Sequence, residues 1–280
     1  MSPAANLSEV YPTVPFAPSA GQGVYLQDET GRRVLDLYGG HAVASLGYGH
    51  PRLTEAIGKQ ARELLFQSNL MALRIRDEAA ERLAAFAPED LTRVFFVNSG
   101  AEANENALKI ALQATGRSTI VAIEHAFHGR TAAAAAVTWG SKGRWYGFPT
   151  TPFDVRFVPR NDTTALHEAV SHDTAGVIIE PVQGVAGAFN FSPEFMKTAR
   201  EVCDLHGSLL ILDEVQTGVG RLGTPFGADF YGVQPDMLTT AKALGGGFPC
   251  AALLMTDTLA ADLGAGALGS TFGGGPLACA

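Results

Sequence analysis

Asp213 closes the run Leu209-Leu210-Ile211-Leu212, and Lys242 lies further along, just before the glycines Gly245, Gly246 and Gly247. Four large aliphatics in a row read as a strand buried on both faces, and open α/β sheets place ligands at the carboxyl ends of such strands. An acid at that point is placed for chemistry, although a helix cap or an ion pair is the plainer use of an aspartate. A lysine among small residues has room to be covalently occupied, where a solvated surface lysine is the plainer alternative. Desolvation at such a place lowers the pKa of an amine and makes it a nucleophile toward a carbonyl.

Other segments add candidates. Asn98-Ser99-Gly100-Ala101-Glu102 joins a strand at Val94–Val97 to a predicted helix, so its free N–H groups and the positive end of the helix suit a phosphate. Ser99 with Glu102 three residues on is equally a capping box that needs no ligand. Phe127-His128-Gly129-Arg130 follows another strand. A phenylalanine is ordinarily core and a lone histidine ordinarily hydrogen-bonded structure, but the planar fork of Arg130 suits a carboxylate beside an open glycine. Gly218-Val219-Gly220-Arg221-Leu222-Gly223 matches GxGxxG, yet Thr224-Pro225-Phe226-Gly227 follows where a helix should open, so no dinucleotide site is expected. A covalent lysine, an acid for a ring nitrogen and a phosphate cradle are together what pyridoxal phosphate requires.

Composition limits the alternatives. The chain has 280 residues, 46% hydrophobic and 17% charged, with a formal net charge of −8. Its basic residues form no dense run, which argues against nucleic acid or an anionic membrane as partner and for small molecules. The 3 cysteines, Cys203, Cys250 and Cys279, lack the spacing of a metal site or a disulfide framework, so no metal is expected and a reducing cytoplasm fits. Met1 to Asn6 shows no basic region followed by an apolar one, and no apolar run is long enough to span a bilayer. Neither secretion nor membrane insertion is expected.

The elements that must position these residues are legible from periodicity. A Pro-broken arm leads to a predicted hairpin, Val24–Gln27 with Arg33–Leu37 around Asp28-Glu29-Thr30-Gly31. An irregular glycine-rich loop ends at His50-Pro51, and helices are predicted from Pro51 to Gln67 and from Asp77 to Phe86. From Arg93 onward apolar strands alternate with helices: Val94–Val97, Thr119–Ile123, Val155–Val158, Gly176–Ile179, Leu209–Leu212, Met237–Thr240 and Ala251–Met255. Ser192-Pro193 and Gly207 bracket one helix with good start and stop residues. This pattern predicts an α/β fold with a mostly parallel central sheet and helices on both faces. It also divides the chain into an arm and hairpin over 1–50 and a large domain over 51–280.

The sequence resembles the class III pyridoxal-phosphate aminotransferases along essentially its whole length. The resemblance rests on Leu46-Gly47-Tyr48-Gly49-His50-Pro51, Asn98 to Asn104, Phe127 to Thr131, Glu180-Pro181-Val182-Gln183-Gly184, Leu212 to Arg221, Ala241 to Gly247 and Gly269 to Gly274. Within that family it is most similar to the acetylornithine branch. The resemblance implies a fold type I large domain in which Lys242 carries the cofactor and then serves as general base. Asp213 would hold the ring nitrogen, Gln216 would contact the ring's phenolic oxygen, Phe127 would stack on the ring, and His128 would join the cofactor's surroundings. Ser99, Gly100 and Ala101 would hold the phosphate, Arg130 a substrate carboxylate, and Ser270 the substrate. Thr271 would reach the cofactor of a neighbouring subunit, which implies a homodimer. The implied reaction moves an amino group from N-acetylornithine to 2-oxoglutarate, with ornithine, 4-aminobutyrate or another ω-amine as the second reading.

Two departures qualify the resemblance. Val185 stands where the family usually has a glutamate that pairs with an arginine of a C-terminal domain, and that small domain is missing after Leu277-Ala278-Cys279-Ala280. The expectation is an incomplete sequence whose substrate-selecting half is reduced. A non-catalytic truncated paralogue is the alternative from a different class; the retained Lys242, Asp213 and Gln216 argue against it.

Overall fold

The computed structural model describes residues 6–280, so Met1–Ala5 of the predicted arm lie outside the described residues. The strands are β1 (Pro18–Gln22), β2 (Tyr25–Asp28), β3 (Arg33–Leu35), β4 (Arg93–Val97), β5 (Thr119–Ile123), β6 (Asp154–Val158), β7 (Thr174–Ile179), β8 (Val182–Gln183), β9 (Phe189–Asn190), β10 (Leu209–Asp213), β11 (Met237–Thr240) and β12 (Ala251–Met255). Seven of them form one sheet in the order β4-β12-β11-β10-β7-β5-β6. The β5, β6, β7, β10 and β11 neighbours pair parallel, whereas β12 runs antiparallel to both β11 and β4. The mostly parallel sheet is therefore as expected, with one reversed strand inserted near its edge.

Period-two alternation sorts the aliphatic runs between two cores. Leu210 and Leu212 join Val121, Ile123, Val177 and Ile179 on the face covered by the Pro193–His206 helix, which contributes Phe195, Met196, Ala199 and Val202. Ile211 points the other way, with Ile120, Ala122 and Ile178, toward the Gly100–Thr115 helix and its Ala107, Leu108 and Ala111. Each fully buried large aliphatic here stabilises the fold by about 1.5–3 kcal/mol. The helix starts are chemical as well: Ser192 Oγ accepts from Phe195 N at 3.1 Å, Pro193 takes the first turn, and Gly207 closes the helix at φ +63°.

The small sheet contains the predicted hairpin, with Tyr25 opposite Leu35. It also contains β1, a strand no periodicity announces, because Pro18-Ser19-Ala20-Gly21-Gln22 lacks strand-forming side chains. Gly21 admits the Tyr48 ring, since a Cβ there would lie 2.7 Å from Tyr48 Cγ. The helix at Pro51 ends at Glu63, short of Gln67, and the next spans Arg74–Phe86. Among the described residues no helix is long and apolar enough to cross a membrane.

The end of β10 divides two adjacent acids between two tasks. Asp213 turns to the carboxyl edge of the sheet, while Glu214 is fully buried and accepts from Thr217 Oγ1 at 2.6 Å and from the Gly227 and Ala228 N–H groups at 2.7 Å each. Burial pushes Glu214 up to about 7. Glu214→Ala would strand three buried donors, and we expect it to lower unfolding stability by about 3 kcal/mol or more, read by urea denaturation at constant pH. A loss below about 1 kcal/mol would show that Glu214 is not the anchor of this turn.

Candidate active site

Along the carboxyl edge of the sheet lies a cleft of about 510 Å³. Residues from six separate stretches converge on it, which is what a doubly wound sheet does with the loops after its strands. Lys242, Asp213, Gln216, Ser99, Gly100, Ala101, Phe127, His128 and Arg130 all line it, so most of the sequence-predicted residues meet in one place. Ser270 and Thr271 do not. They border a separate hollow of about 330 Å³ beside Asn98 and Asn106, where Ser270 Oγ accepts from Asn98 Nδ2 at 3.2 Å and from Gly273 N at 2.9 Å. Thr271 is exposed there.

Asp213 is 3% exposed and amply supplied with donors. Its Oδ2 accepts from Asn104 Nδ2 and faces His128 Nδ1, each at 2.7 Å, and its Oδ1 accepts from Val215 N at 3.1 Å. These three donors fix the carboxylate in place and satisfy its oxygens. Asn104 is itself fixed: its Oδ1 accepts from Thr239 Oγ1 at 2.7 Å and its Nδ2 also donates to the His128 carbonyl at 2.8 Å. His128 therefore contributes through Asp213, and its buried Nε2 has no hydrogen-bond partner among the described residues.

Lys242 opens a single 3₁₀ turn, Lys242–Gly245, just beyond β11. Its φ of +46° is left-handed, a strained choice for a lysine that fixes where the side chain departs. Burial pushes its amine below the ordinary lysine range; Asp213 and Glu180 pull the other way, and Arg221 adds to the lowering. The amine is thus closer to its neutral, nucleophilic form than a surface lysine.

At the amino end of the Gly100–Thr115 helix, Ser99 Oγ accepts from Glu102 N at 3.2 Å, and Glu102 Oε2 takes the N–H groups of Asn98 at 2.6 Å and Ser99 at 3.3 Å. The capping box is real, and it leaves Gly100 and Ala101 as first-turn residues on the cleft wall, where an α-helix has no acceptors of its own for their N–H groups. A Cβ on Gly100 would lie 2.6 Å from Val215 Cγ2, so the glycine lets the helix start close against the segment after β10. Gln216 lies across Gly184, where a Cβ would come within 1.2 Å of Gln216 Oε1. Arg130 is exposed at the rim, its guanidinium 4.8 Å from the Trp145 ring centroid. Val185, also at the rim, is 55% exposed.

Asn104, Glu180 and His41 are cleft residues to which the sequence reading assigned no role. Asn104 carried a usable signal, a polar residue on the otherwise apolar face formed by Ala103, Ala107, Leu108 and Ala111. Glu180 follows β7 as Asp213 ends β10, and Ile179 pairs with Leu212 in the register, so the two acids occupy equivalent places on neighbouring strands. His41 gave no periodic signal, because it sits at φ +64° in an irregular turn; Tyr38 Oη is 2.5 Å from its Nδ1, and burial and then Lys242 push its pKa down. The GxGxxG segment forms turns with Gly220 and Gly223 left-handed, and Arg221 from it donates to Ala42 O at 3.1 Å and Ser45 Oγ at 2.8 Å, bracing the glycine-rich loop over the cleft.

The chain is similar to known proteins. The family model for aminotransferase class III matches residues 7–280. An acetylornithine aminotransferase from Methanosarcina mazei is 46% identical over 272 residues, covering 97% of this chain and 68% of that protein. A succinylornithine transaminase from Citrobacter koseri is 44% identical over 279 residues, covering 97% and 68%. Among solved structures, the ornithine aminotransferase of Toxoplasma gondii, with PLP at partial occupancy in its active site, superposes with a TM-score of 0.92 at 32% identity and covers 98% of this chain and 66% of that one. The chain spans about two thirds of the length of these relatives.

Proposed function

Because the chain belongs to the class III aminotransferases, we propose that it binds pyridoxal phosphate in the cleft and moves an amino group from N-acetylornithine to 2-oxoglutarate. The observation that carries the cofactor reading is the convergence of Lys242 with the buried Asp213 anion and the Gly100–Thr115 helix start in one cleft. The donor set fits. Lys242 would bind the cofactor covalently, Asp213 would face its ring nitrogen, Gln216 its phenolic oxygen and Phe127 its ring, with Ser99, Gly100 and Ala101 toward its phosphate. Once bound, pyridoxal phosphate supplies an aldehyde carbon for amines and a ring that draws off electrons from the carbon next to the nitrogen.

The protein's own residues do the rest. Lys242 Nζ, its proton affinity lowered by burial, would take a proton from the substrate carbon and give it up at the carbon on the other side of the nitrogen, so that the amino group changes hands. Asn104, His128 and Val215 hold the Asp213 carboxylate in place, where it would favour a positive charge at the ring nitrogen. Arg130 at the rim offers a two-pronged site for a substrate carboxylate, and Ser270 stands one layer behind Asn98. Residues 51–280 act as the cofactor-binding domain and residues 1–50 as an arm. The placement of Thr271, exposed and outside its own cleft, supports a homodimer in which it reaches the neighbour's cofactor. The free cysteines and small-molecule chemistry support a cytoplasmic setting.

The substrate assignment is tested by a panel of amine donors with 2-oxoglutarate as acceptor. N-acetylornithine should be turned over fastest; equal or faster use of 4-aminobutyrate or ornithine would overturn it. A chain that stays colourless with added pyridoxal phosphate, and retains none after borohydride, would overturn the cofactor reading. A finer test concerns Gly184→Ala. The new methyl would displace the Gln216 amide, the far end of a flexible side chain, so we expect unfolding stability to stay within about 0.5 kcal/mol while cofactor affinity falls about tenfold, one lost hydrogen bond's worth. Unchanged affinity in a cofactor titration would remove Gln216 from the site.

A further inference from the structure

The chemistry above leaves Glu180 without a task. At 6% exposed it is nearly as buried as Asp213, and it stands at the equivalent place on the neighbouring strand. The two acids are supplied very differently. Asp213 accepts three hydrogen bonds, whereas Glu180 accepts one, from Phe127 N to Oε1 at 2.9 Å, and its Oε2 takes none among the described residues. With one oxygen held by a single donor and the other open to the cleft, this carboxylate is less well supported as an anion than Asp213, and taking up a proton lessens that penalty. The charged and titratable groups that face it are His128 from the segment after β5, Asp213 from β10 and Lys242 from the 3₁₀ turn. Burial pushes Glu180 up to about 7, with His128 and Lys242 opposing that rise and Asp213 adding to it, while burial pushes Lys242 down. The acid and the amine that share this cleft therefore approach one another in their tendency to hold a proton.

We propose that Glu180 is a proton-storing residue that acts through Lys242: its carboxylate takes the proton that the Nζ ammonium gives up and returns it later. An N–H bond breaks as an O–H bond forms, with water in the shared cleft carrying the proton across, so the pair keeps its total charge while the amine becomes free to react. The inference deepens the reading of Lys242 as the covalent lysine and rests on it for its consequence, although the protonation of Glu180 is measurable independently.

Infrared difference spectroscopy of the full chain, with and without bound pyridoxal phosphate, reads carboxylic acid against carboxylate as pH is varied. We expect protonated carboxyl intensity near neutral pH from both Glu180 and Glu214; Glu180→Gln should remove one part of it, and the part that persists in Glu214→Gln should be that of Glu180. The second readout is the rate at which Lys242 captures pyridoxal phosphate across the same pH range. The wild-type profile should bend twice. Glu180→Gln should bend once, with its midpoint about one pH unit lower, because the negative charge that favours the ammonium is gone. Absence of a neutral-range carboxyl band in Glu214→Gln overturns the proposal even if Glu180→Gln does not fold, and superimposable capture profiles overturn it as well. Failure to capture the cofactor at any pH would sink the reading of Lys242 instead, leaving the band to decide the storage role.

Discussion

Lys242→Ala is expected to lower the transamination rate by roughly 10⁴-fold or more, the upper end of what general acid-base catalysis contributes, because the lysine is proposed both to capture the cofactor and to move the proton. Stability should hardly change. Alanine carries the same Cβ as lysine, so the left-handed backbone at φ +46° is no worse, and a desolvated amine is removed from the cleft. The variant separates two roles that wild type combines. Mass spectrometry after borohydride should show no cofactor fixed to the chain, while equilibrium dialysis should still show pyridoxal phosphate held loosely by the helix start and Asp213. Added small amines should restore part of the rate, since a freely diffusing base can reach the same carbon. Retention of more than about one tenth of the activity would show that a different residue carries the chemistry.

That the outcome can be stated so sharply reflects how local the signals were. Leu209 to Asp213 announced a buried strand and a polar end through residue type alone, and the Ser192-Pro193 to Gly207 helix was bracketed by its own caps. The capping box at Ser99 was equally legible, since its logic involves residues three apart. What was not legible depends on distant parts of the chain meeting. The strand β1 forms from a segment with no strand propensity because a neighbour supplies hydrogen-bonding edges and Tyr48 fills the space above Gly21. The reversed direction of β12 is invisible in an apolar run, which reads the same either way. Asn104 gains its importance from Thr239, His128 and Asp213, none of them near it in sequence. His41 reaches the cleft through a turn that no periodicity encodes.

The same distance-spanning network makes Asp213→Asn the second large effect. The substitution conserves shape but not charge, and it sets a donor among donors. If the new amide nitrogen takes the place of Oδ2, it confronts Asn104 Nδ2 and His128 Nδ1; if it takes the place of Oδ1, it confronts Val215 N. His128 can relieve its share only by shifting its proton to Nε2, a buried atom without a partner among the described residues. Either arrangement leaves at least one buried donor unmatched, so unfolding stability should fall by about 1–3 kcal/mol, read by urea denaturation. Activity should fall further than stability suggests. Without that charge the ring nitrogen would lose the partner facing it, and losing one preorganised electrostatic partner of this kind costs about 10²–10³ in rate. Asn104→Ala provides the contrast: it removes one donor from Asp213 but leaves the charge, so its effect on rate should be much smaller while its effect on stability is comparable. If Asp213→Asn kept its rate within about threefold of wild type, the acid would be an organiser of Asn104 and His128 and nothing more, and the electrostatic half of the proposed chemistry would have to be assigned elsewhere in the cleft.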